Sequence, residues 1–310
     1  MKQPVIFLMG PTASGKTELA VELVERLPCD IVSVDSAMVY RGMDIGTAKP
    51  AADVLARAPH RLIDILDPAE PYSAARFRDD ALREIAAIHA QDRIPLLVGG
   101  TMLYFRALRT GLSTLPSAEP ELRARITAEA ESLGWPELHR RLAGQDPQAA
   151  ARIHPNDAQR IQRALEIIEL TGLAPSRHYE TGLPLQSWTT HALGLAPVNR
   201  EILHTRLAER FHGMMEQGFL DEVRQLHARP DLDPDRPALR AVGYRQLWQH
   251  LDGRFGLEEA VQRGIYASRH LAKRQLTWLR REPPDSWLDS NAADLCTQAL
   301  QRLAAAGITA

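Results

Sequence analysis

The sequence predicts an α/β protein in which a doubly wound parallel sheet is interrupted by an inserted all-helical domain. Three observations carry that reading. The apolar run Val5-Ile6-Phe7-Leu8-Met9 leads into Gly10-Pro11-Thr12-Ala13-Ser14-Gly15-Lys16-Thr17 and then into a helical pattern, giving the order strand, glycine-rich loop, helix. Two further apolar runs, residues 31–35 and 95–101, end in an acid or in glycines after helical stretches, as buried parallel strands do. Residues 118–182 are charged and helical throughout, with a proline-marked boundary before them. The expected organisation is therefore a P-loop NTPase-like core in two parts, residues 1–117 and 190–310, around a helical insertion at 118–189.

The glycine-rich loop has a definite chemistry. Glycines let the backbone curl so that successive N–H groups point inward at an anion, and the following helix adds its positive end. Lys16 supplies a mobile charge for outer phosphates, and the Thr17 hydroxyl is placed to hold Mg2+. A polyphosphate ligand follows, although the loop does not specify what is attached to it.

Composition narrows the class. A chain of 310 residues with 45% hydrophobic residues is long enough to bury a sizeable core. No apolar run approaches a membrane span and Met1-Lys2-Gln3-Pro4 leads directly into the first strand, so a cytoplasmic protein without a membrane partner is expected. Cys29 and Cys296 lie far apart, which supports neither a disulfide framework nor a zinc site. The net charge is −2, yet arginine makes up 33 of the 37 basic residues, the side chain suited to bidentate phosphate contacts. A GC-rich genome produces the same bias.

Along the chain, residues 31–35 read as the second parallel strand, ending in Asp35 at the sheet edge where ligands bind in such folds. Asp35 is either a general base or an aspartate that organises magnesium or caps the strand. Residues 36–50 contain Gly42 and Gly46 without a clean period and form a loop over the site. Ser73 caps a helix whose core face is Phe77, Ala81, Leu82, Ile85 and Ile88. The strand at 95–101 is followed by no acid, which weakens the reading as an ATP-hydrolysing motor. In the insertion, Asn156 or Asp157 caps a helix ended by Gly172, with Gln159, Arg160 and Arg163 forming one polar patch. Residues 190–196 return the chain to the sheet. Asn199 caps the next helix, which carries Arg206 and Arg210, and Arg240 and Arg245 flank Gly243 and Tyr244. Residues 256–281 draw a long helix with Val261, Ile265, Leu271, Ala272, Leu276, Trp278 and Leu279 on one side. Its other side holds Arg263, Arg269, His270, Lys273, Arg274, Arg280 and Arg281, with no acid between Glu259 and Glu282. Such a face attracts an external polyanion.

Two enzyme classes fit these features: a small-molecule P-loop kinase with the insertion as its lid, and a group-transfer enzyme acting on nucleic acid. A non-catalytic nucleotide-binding adaptor leaves Asp35 and the paired arginines unused. The acid-free basic helix favours the second class.

Specific blocks then point the same way. GPTASGKT at 10–17, VDS at 34–36, YRGMDIGTAKP at 40–50, LVGGTMLY at 97–104, HPND at 154–157, VGYRQ at 242–246 and AKRQLTWLR at 272–280 resemble the bacterial tRNA dimethylallyltransferase family in order and over nearly the whole chain. The resemblance implies transfer of a dimethylallyl group from dimethylallyl diphosphate to N6 of adenosine 37, next to the anticodon, in tRNAs reading codons that begin with U. It implies that Gly10, Pro11, Thr12, Ala13, Ser14, Gly15, Lys16, Thr17 and Arg210 bind the diphosphate. Asp35 would accept the N6 proton, with Thr17 at Mg2+ and Arg210 as a further catalytic contact. The anticodon stem-loop would meet Asp35, Ser36, Ala37, Met38, Thr101, Arg123, Gln159, Arg160, Ile161, Gln162, Arg163, Arg240, Ala241, Val242, Gly243, Tyr244 and Arg245. A monomer is expected. The related branch that prenylates free adenine nucleotides is the alternative within the superfamily, and the insertion and basic helix favour tRNA. No C-terminal zinc-binding extension of the eukaryotic kind fits the two cysteines.

Overall fold

The computed structural model describes residues 2–111, 115–116, 118–178 and 187–309. The chain divides into two compact units, Met1–Arg109 with Gln186–Ala310, and Thr110–Leu185. In the first, β1 (Gln3–Met9), β2 (Cys29–Val34), β3 (His60–Arg61), β4 (Ile94–Gly99), β5 (Trp188–Ala196) and β6 (Ser286–Asp289) form one parallel sheet in the order β3-β2-β4-β1-β5-β6. The N-terminal strand is central: Leu8 pairs with Val98 of β4 on one side and Leu193 of β5 on the other. β5 begins at Trp188, ahead of the boundary drawn from composition at 190.

From β1 the chain runs through α1 (Lys16–Val24) to β2, then past α2 (Ala52–Arg57) and β3 to α3 (Ala74–His89). β4 leads into α4 (Met102–Thr110). The second unit holds α5 (Pro120–Leu133), α6 (Trp135–Gln145), α7 (Pro147–Ala150), α8 (Ala158–Thr171) and α9 (Pro175–His178). After β5 come α10 (Arg200–Glu216), α11 (Phe219–His227), α12 (Tyr244–Leu251) and α13 (Leu257–Arg281), and α14 (Leu295–Ala305) follows β6. The expected helical end at 179–182 and part of the boundary at 112–118 lie outside the described residues.

Both faces of the sheet are covered, which is why the central strands are apolar without alternation. The period of two still sorts the core. Phe7, Val34 and Leu97 pack with Phe77, Phe105, Phe219 and Tyr244 on one face. Ile6, Leu8, Ile31 and Leu96 pack with Leu19, Leu23 and Leu303 of α1 and α14 on the other. Ser73 caps α3 by accepting the Arg76 amide at 3.1 Å, and Phe77, Ala81, Ile85 and Ile88 are buried. Leu82, expected in that core, is instead 37% exposed at its edge. The second unit has its own core of Leu122, Ile126, Leu138, Leu142, Ile161 and Leu165. Asp157, rather than Asn156, caps α8, and Gly172 ends it in the left-handed region at φ 70°.

The loop at 36–50 is pinned rather than free. Glu222 on α11 accepts the amides of Asp44 (2.8 Å), Ile45 (2.7 Å) and Gly46 (3.1 Å) and the Tyr244 hydroxyl (2.5 Å). Lys49 donates to the Tyr40 carbonyl at 2.9 Å and to Asp64 at 2.5 Å, and pairs with Asp44. One carboxylate thus replaces water for three backbone donors, and its loss leaves them unsatisfied against Phe219 and Tyr244. We predict that Glu222→Ala lowers unfolding stability by roughly 2–4 kcal/mol, with Glu222→Gln costing less because one acceptor oxygen remains. Denaturant unfolding of the three proteins checks this, and a Glu222→Ala protein as stable as the parent would refute it.

Candidate active site at the carboxyl edge of the sheet

The chain leaves β1 toward β2 on one side of the sheet, whereas it leaves β4 toward β5 on the other. Opposed crossovers open a crevice at the carboxyl ends of β1 and β4, where ligands bind in doubly wound sheets. The loop 10–17 sits there. Gly10 passes so close to β5 that a Cβ would lie 2.3 Å from the Leu195 carbonyl oxygen, and Gly15 takes φ 83°. Only glycine meets both demands without strain. Helix α1 starts at Lys16, so its amino end faces the loop. The Lys16 ammonium lies across the loop, donating to the Pro11 carbonyl at 2.6 Å and to Ser14 Oγ at 3.3 Å.

A residue not singled out by sequence locks this arrangement. Gln275 of α13 is 7% exposed. Its Oε1 accepts the Thr12 amide at 3.0 Å and its Nε2 donates to the Gly100 carbonyl at 2.8 Å. One side-chain amide therefore ties the loop after β1 to the turn after β4. Gly100 has to lack a side chain, because a Cβ would approach Gln275 Nε2 to 2.3 Å. The available signal was a polar residue on the apolar side of a helix, between Ala272 and Leu279. The Thr12 amide, expected at the diphosphate, is committed to Gln275.

Loop, turn and helices line a cleft of about 1120 Å³. Residues 12–18, Asp35, Ser36, Ala37, Met38 and Thr101 lie on it, with Arg206 and Arg210 of α10 and Leu271, Arg274, Gln275 and Trp278 of α13. Burial, and then the charge of Arg210, lowers the Lys16 ammonium to about 7, with Asp35 and Glu18 opposing the shift. Burial likewise holds the Arg210 guanidinium below its usual range, against the pull of Asp35 and Glu18. Two desolvated cations beside amides describe an anion site. Arg206 is held by Ser290 (3.2 Å) and Asn291 (2.6 Å) rather than by a carboxylate.

Asp35 stands immediately after β2. Its Oδ1 accepts the amides of Ala37 (2.8 Å) and Met38 (3.2 Å), which folds residues 35–38 into a turn facing the cleft. No acid follows β4, whose end is Gly99-Gly100-Thr101. Among the described residues no group of three or more His, Cys, Asp or Glu side chains is placed to hold a metal. The oxygen donors on the cleft, the Thr17 hydroxyl and the Asp35 carboxylate, suit a Mg2+ that keeps most of its ligands as water and phosphate oxygens.

The remaining sequence-based candidates fall into distinct settings. Ala241, Val242 and Arg240 line the cleft, and Arg240 lies 3.6 Å from Asp235. Arg245 is exposed. Tyr244 is fully buried against Phe219 and Gly243 is enclosed by Phe219 and Phe211, so these two belong to the core and not to a surface, which corrects the sequence expectation. Ile161 is corrected in the same way, being 0% exposed in the core of the second unit. There, Glu166 is completely buried and accepts from Arg123 (2.8 and 3.0 Å), Arg163 (2.6 Å) and the Glu119 amide (2.8 Å). Burial alone would raise its carboxyl; these bonds outweigh it and hold the group below the usual range. Arg163 also donates to the Pro116 carbonyl at 2.7 Å, and Gln162 to Arg123 O and Thr127 Oγ1. Gln159 and Arg160 remain exposed. The expected patch of Gln159, Arg160 and Arg163 is thus split: Arg163 braces the unit from within.

A protein-family model described as IPP transferase matches residues 38–282. A tRNA dimethylallyltransferase of Alkalilimnicola ehrlichii is 62% identical over 90% of this chain and 88% of its own length. The crystal structure of the full-length tRNA isopentenylpyrophosphate transferase from Bacillus halodurans superposes with a TM-score of 0.72 at 38% identity, covering 99% of this chain and 96% of that one. That of a eukaryotic dimethylallyltransferase acting on tRNA gives a TM-score of 0.80 at 26% identity, over 98% of this chain and 80% of that chain. The chain therefore belongs to the IPP transferase family.

Proposed function

We propose that this protein transfers a dimethylallyl group from dimethylallyl diphosphate to N6 of adenosine 37 in tRNAs reading codons that begin with U, releasing diphosphate. One observation carries the reading: Asp35 shares a single cleft with Lys16 and Arg210 and is close enough to oppose the pKa shifts of both. The loop of residues 10–17, Lys16 and Arg210 take the diphosphate. As the allylic carbon–oxygen bond breaks, the developing negative charge meets partly desolvated cations already in place, which need little reorganisation. N6 attacks the allylic carbon and its proton passes to Asp35, whose Oδ1 is fixed by the 35–38 turn. Mg2+, when bound at Thr17, supplies further charge neutralisation to the diphosphate. The adenine must leave the anticodon loop to reach the cleft, a cost of a few kcal/mol that is least where bases are unpaired. Ser36, Ala37, Met38, Thr101 and residues 240–242 line its path, and the exposed Gln159, Arg160 and Arg245 meet the stem-loop. Among the described residues no helix is long and apolar enough to cross a membrane. The reading includes a monomer working in the cytoplasm, for which light scattering should return one chain mass.

The decisive assay incubates protein, tRNA, dimethylallyl diphosphate and magnesium and measures the mass of the anticodon-loop fragment. A gain of one dimethylallyl group on adenosine 37 is expected. Phosphoryl transfer from ATP with no prenyl gain would overturn the reading in favour of a kinase.

Asp35→Asn keeps the Oδ1 acceptor for the Ala37 and Met38 amides and removes basicity. Single-turnover transfer should fall by roughly 10²- to 10⁴-fold, the usual worth of a positioned base, with both substrates still bound. A rate near the parent's, or one restored by extra magnesium, would take the base role away from Asp35.

The depressed Lys16 adds a pH signature. In the free protein it is largely neutral above about 7, and an adjacent diphosphate must draw its pKa back toward the ordinary 10.5. Binding of dimethylallyl diphosphate near pH 8.5 should therefore take up close to one proton, and uptake should vanish near pH 6, where Lys16 is charged in both states. Calorimetry in buffers of different ionisation enthalpy reads this directly, and no uptake at pH 8.5 would refute it.

A further inference from the structure

The outer side of α13 carries a feature that the chemistry in the cleft does not use. Tyr266 is 64% exposed, a high value for so large a ring. Its ring stands against that of His270, at 4.3 Å between centroids and 55° between planes. Both lie on the side of the helix opposite Ile265, Ala272 and Leu279, which are buried. Cations surround them. Arg263 pairs with Glu259 at 2.7 Å, but among the described residues no carboxylate lies within 4.0 Å of Arg269, Lys273, Arg274, Arg280 or Arg281. The field of this edge is visible on the neighbouring helix, where burial and then the charges of Arg200 and Arg269 hold His204 below the usual imidazole range.

Position along the helix gives the feature a direction. Tyr266, His270 and Arg274 stand four residues apart, so they form one slanting row about 12 Å long at 1.5 Å per residue. The row starts on the outer face and ends at Arg274, which lines the cleft. Aromatic rings interleaved with unpaired cations are how single-stranded nucleic acid is held without sequence preference: the rings stack on bases and the cations meet phosphates. A paired stem offers no free base face, whereas a loop strand does.

We propose that Tyr266, backed by His270, is a stacking platform for an unpaired nucleobase of the RNA strand leading out of the cleft, with Lys273 and Arg274 at its flanking phosphates. The assignment rests on the reading of the cleft as the site of an RNA adenine. It gives the acid-free helix a second task besides general attraction: the platform sets where the loop strand lies, and so which adenine enters the cleft.

The test measures binding of an anticodon stem-loop carrying 2-aminopurine at one loop position at a time. Tyr266→Leu keeps apolar bulk and removes the π face; Tyr266→Phe keeps the ring. Tyr266→Leu should weaken RNA binding by about five- to a hundred-fold. It should also abolish fluorescence quenching at one loop position other than the target adenosine. Tyr266→Phe should preserve both, and neither change should alter dimethylallyl diphosphate binding. Lys273→Ala should instead reduce the salt dependence by about one unit of slope at every position. If Tyr266→Leu binds RNA as tightly as the parent with the same quenching pattern, the platform is refuted and the face is free for another partner. If the parent protein prenylates RNA normally in that experiment, only the platform falls. If the parent binds no RNA at all, the reading of the cleft falls with it.

Discussion

Everything at this site depends on how closely three backbone turns approach one another. A Cβ on Gly99 would lie 2.1 Å from the Val34 carbonyl oxygen, one on Gly10 2.3 Å from the Leu195 oxygen, and one on Gly100 3.2 Å from the Gly10 oxygen. Ordinary side chains at any of these positions would push β2, β4, β1 and β5 apart at their carboxyl ends. Because none is there, the turn after β2, the loop after β1 and the turn after β4 converge on one cleft. Gln275 then fixes the separation from above with one donor and one acceptor. Such a bond pair is modest in energy but specific in length, since a buried amide left without partners costs about 1–3 kcal/mol.

The same closeness explains the electrostatics. Lys16 and Arg210 are partly withdrawn from water and brought near each other, an arrangement unfavourable in isolation and stabilised only in part by Asp35 and Glu18. The site is held in that state by the glycine contacts, by Ala13 packing against the cluster of Leu203, Leu207 and Ala272, and by the pinned loop at 36–50. An arriving polyanion replaces lost hydration at both cations at once, which is why electrostatic stabilisation is strongest in a site organised before the ligand comes. The second unit solves its own charge problem internally: the buried Glu166 gathers Arg123 and Arg163, which therefore help frame the unit.

Which parts were legible beforehand follows from which forces act locally. The glycine-rich loop, the strands around it and the caps are short-range features: Ser73 and Asn199 cap where expected, Asp157 is one of the two residues expected to cap α8, and the strands fall within a few residues of their expected bounds. Asp35 and Lys16 share the cleft because strand ends in a parallel sheet share an edge, whereas Arg210, on α10, was placed there by the family resemblance. Long-range polar contacts were not legible. Nothing near residue 275 announces that its amide reaches Thr12 across 263 positions, nor does residue 222 announce three amides at 44–46. Tyr244 and Ile161 were misplaced for a related reason: they sit inside polar sequence blocks, and burial is decided by the helix face they occupy rather than by their neighbours in sequence.

The placement of β1 also shapes how the chain is made. Of the six strands the first to be synthesised is a central one, and one of its neighbours, β5, spans Trp188–Ala196. At synthesis rates of about 5–20 residues per second, some 10–40 s pass before that partner exists. During this interval Val5, Ile6, Phe7, Leu8 and Met9, all buried in the end, have no complete sheet to enter. The insertion contains its own core and can close meanwhile, shortening the effective distance between β4 and β5. A nascent chain of this design therefore holds a wholly apolar strand with one edge unpaired from the time β4 is made until β5 follows, and such an unpaired edge is prone to associate with other chains.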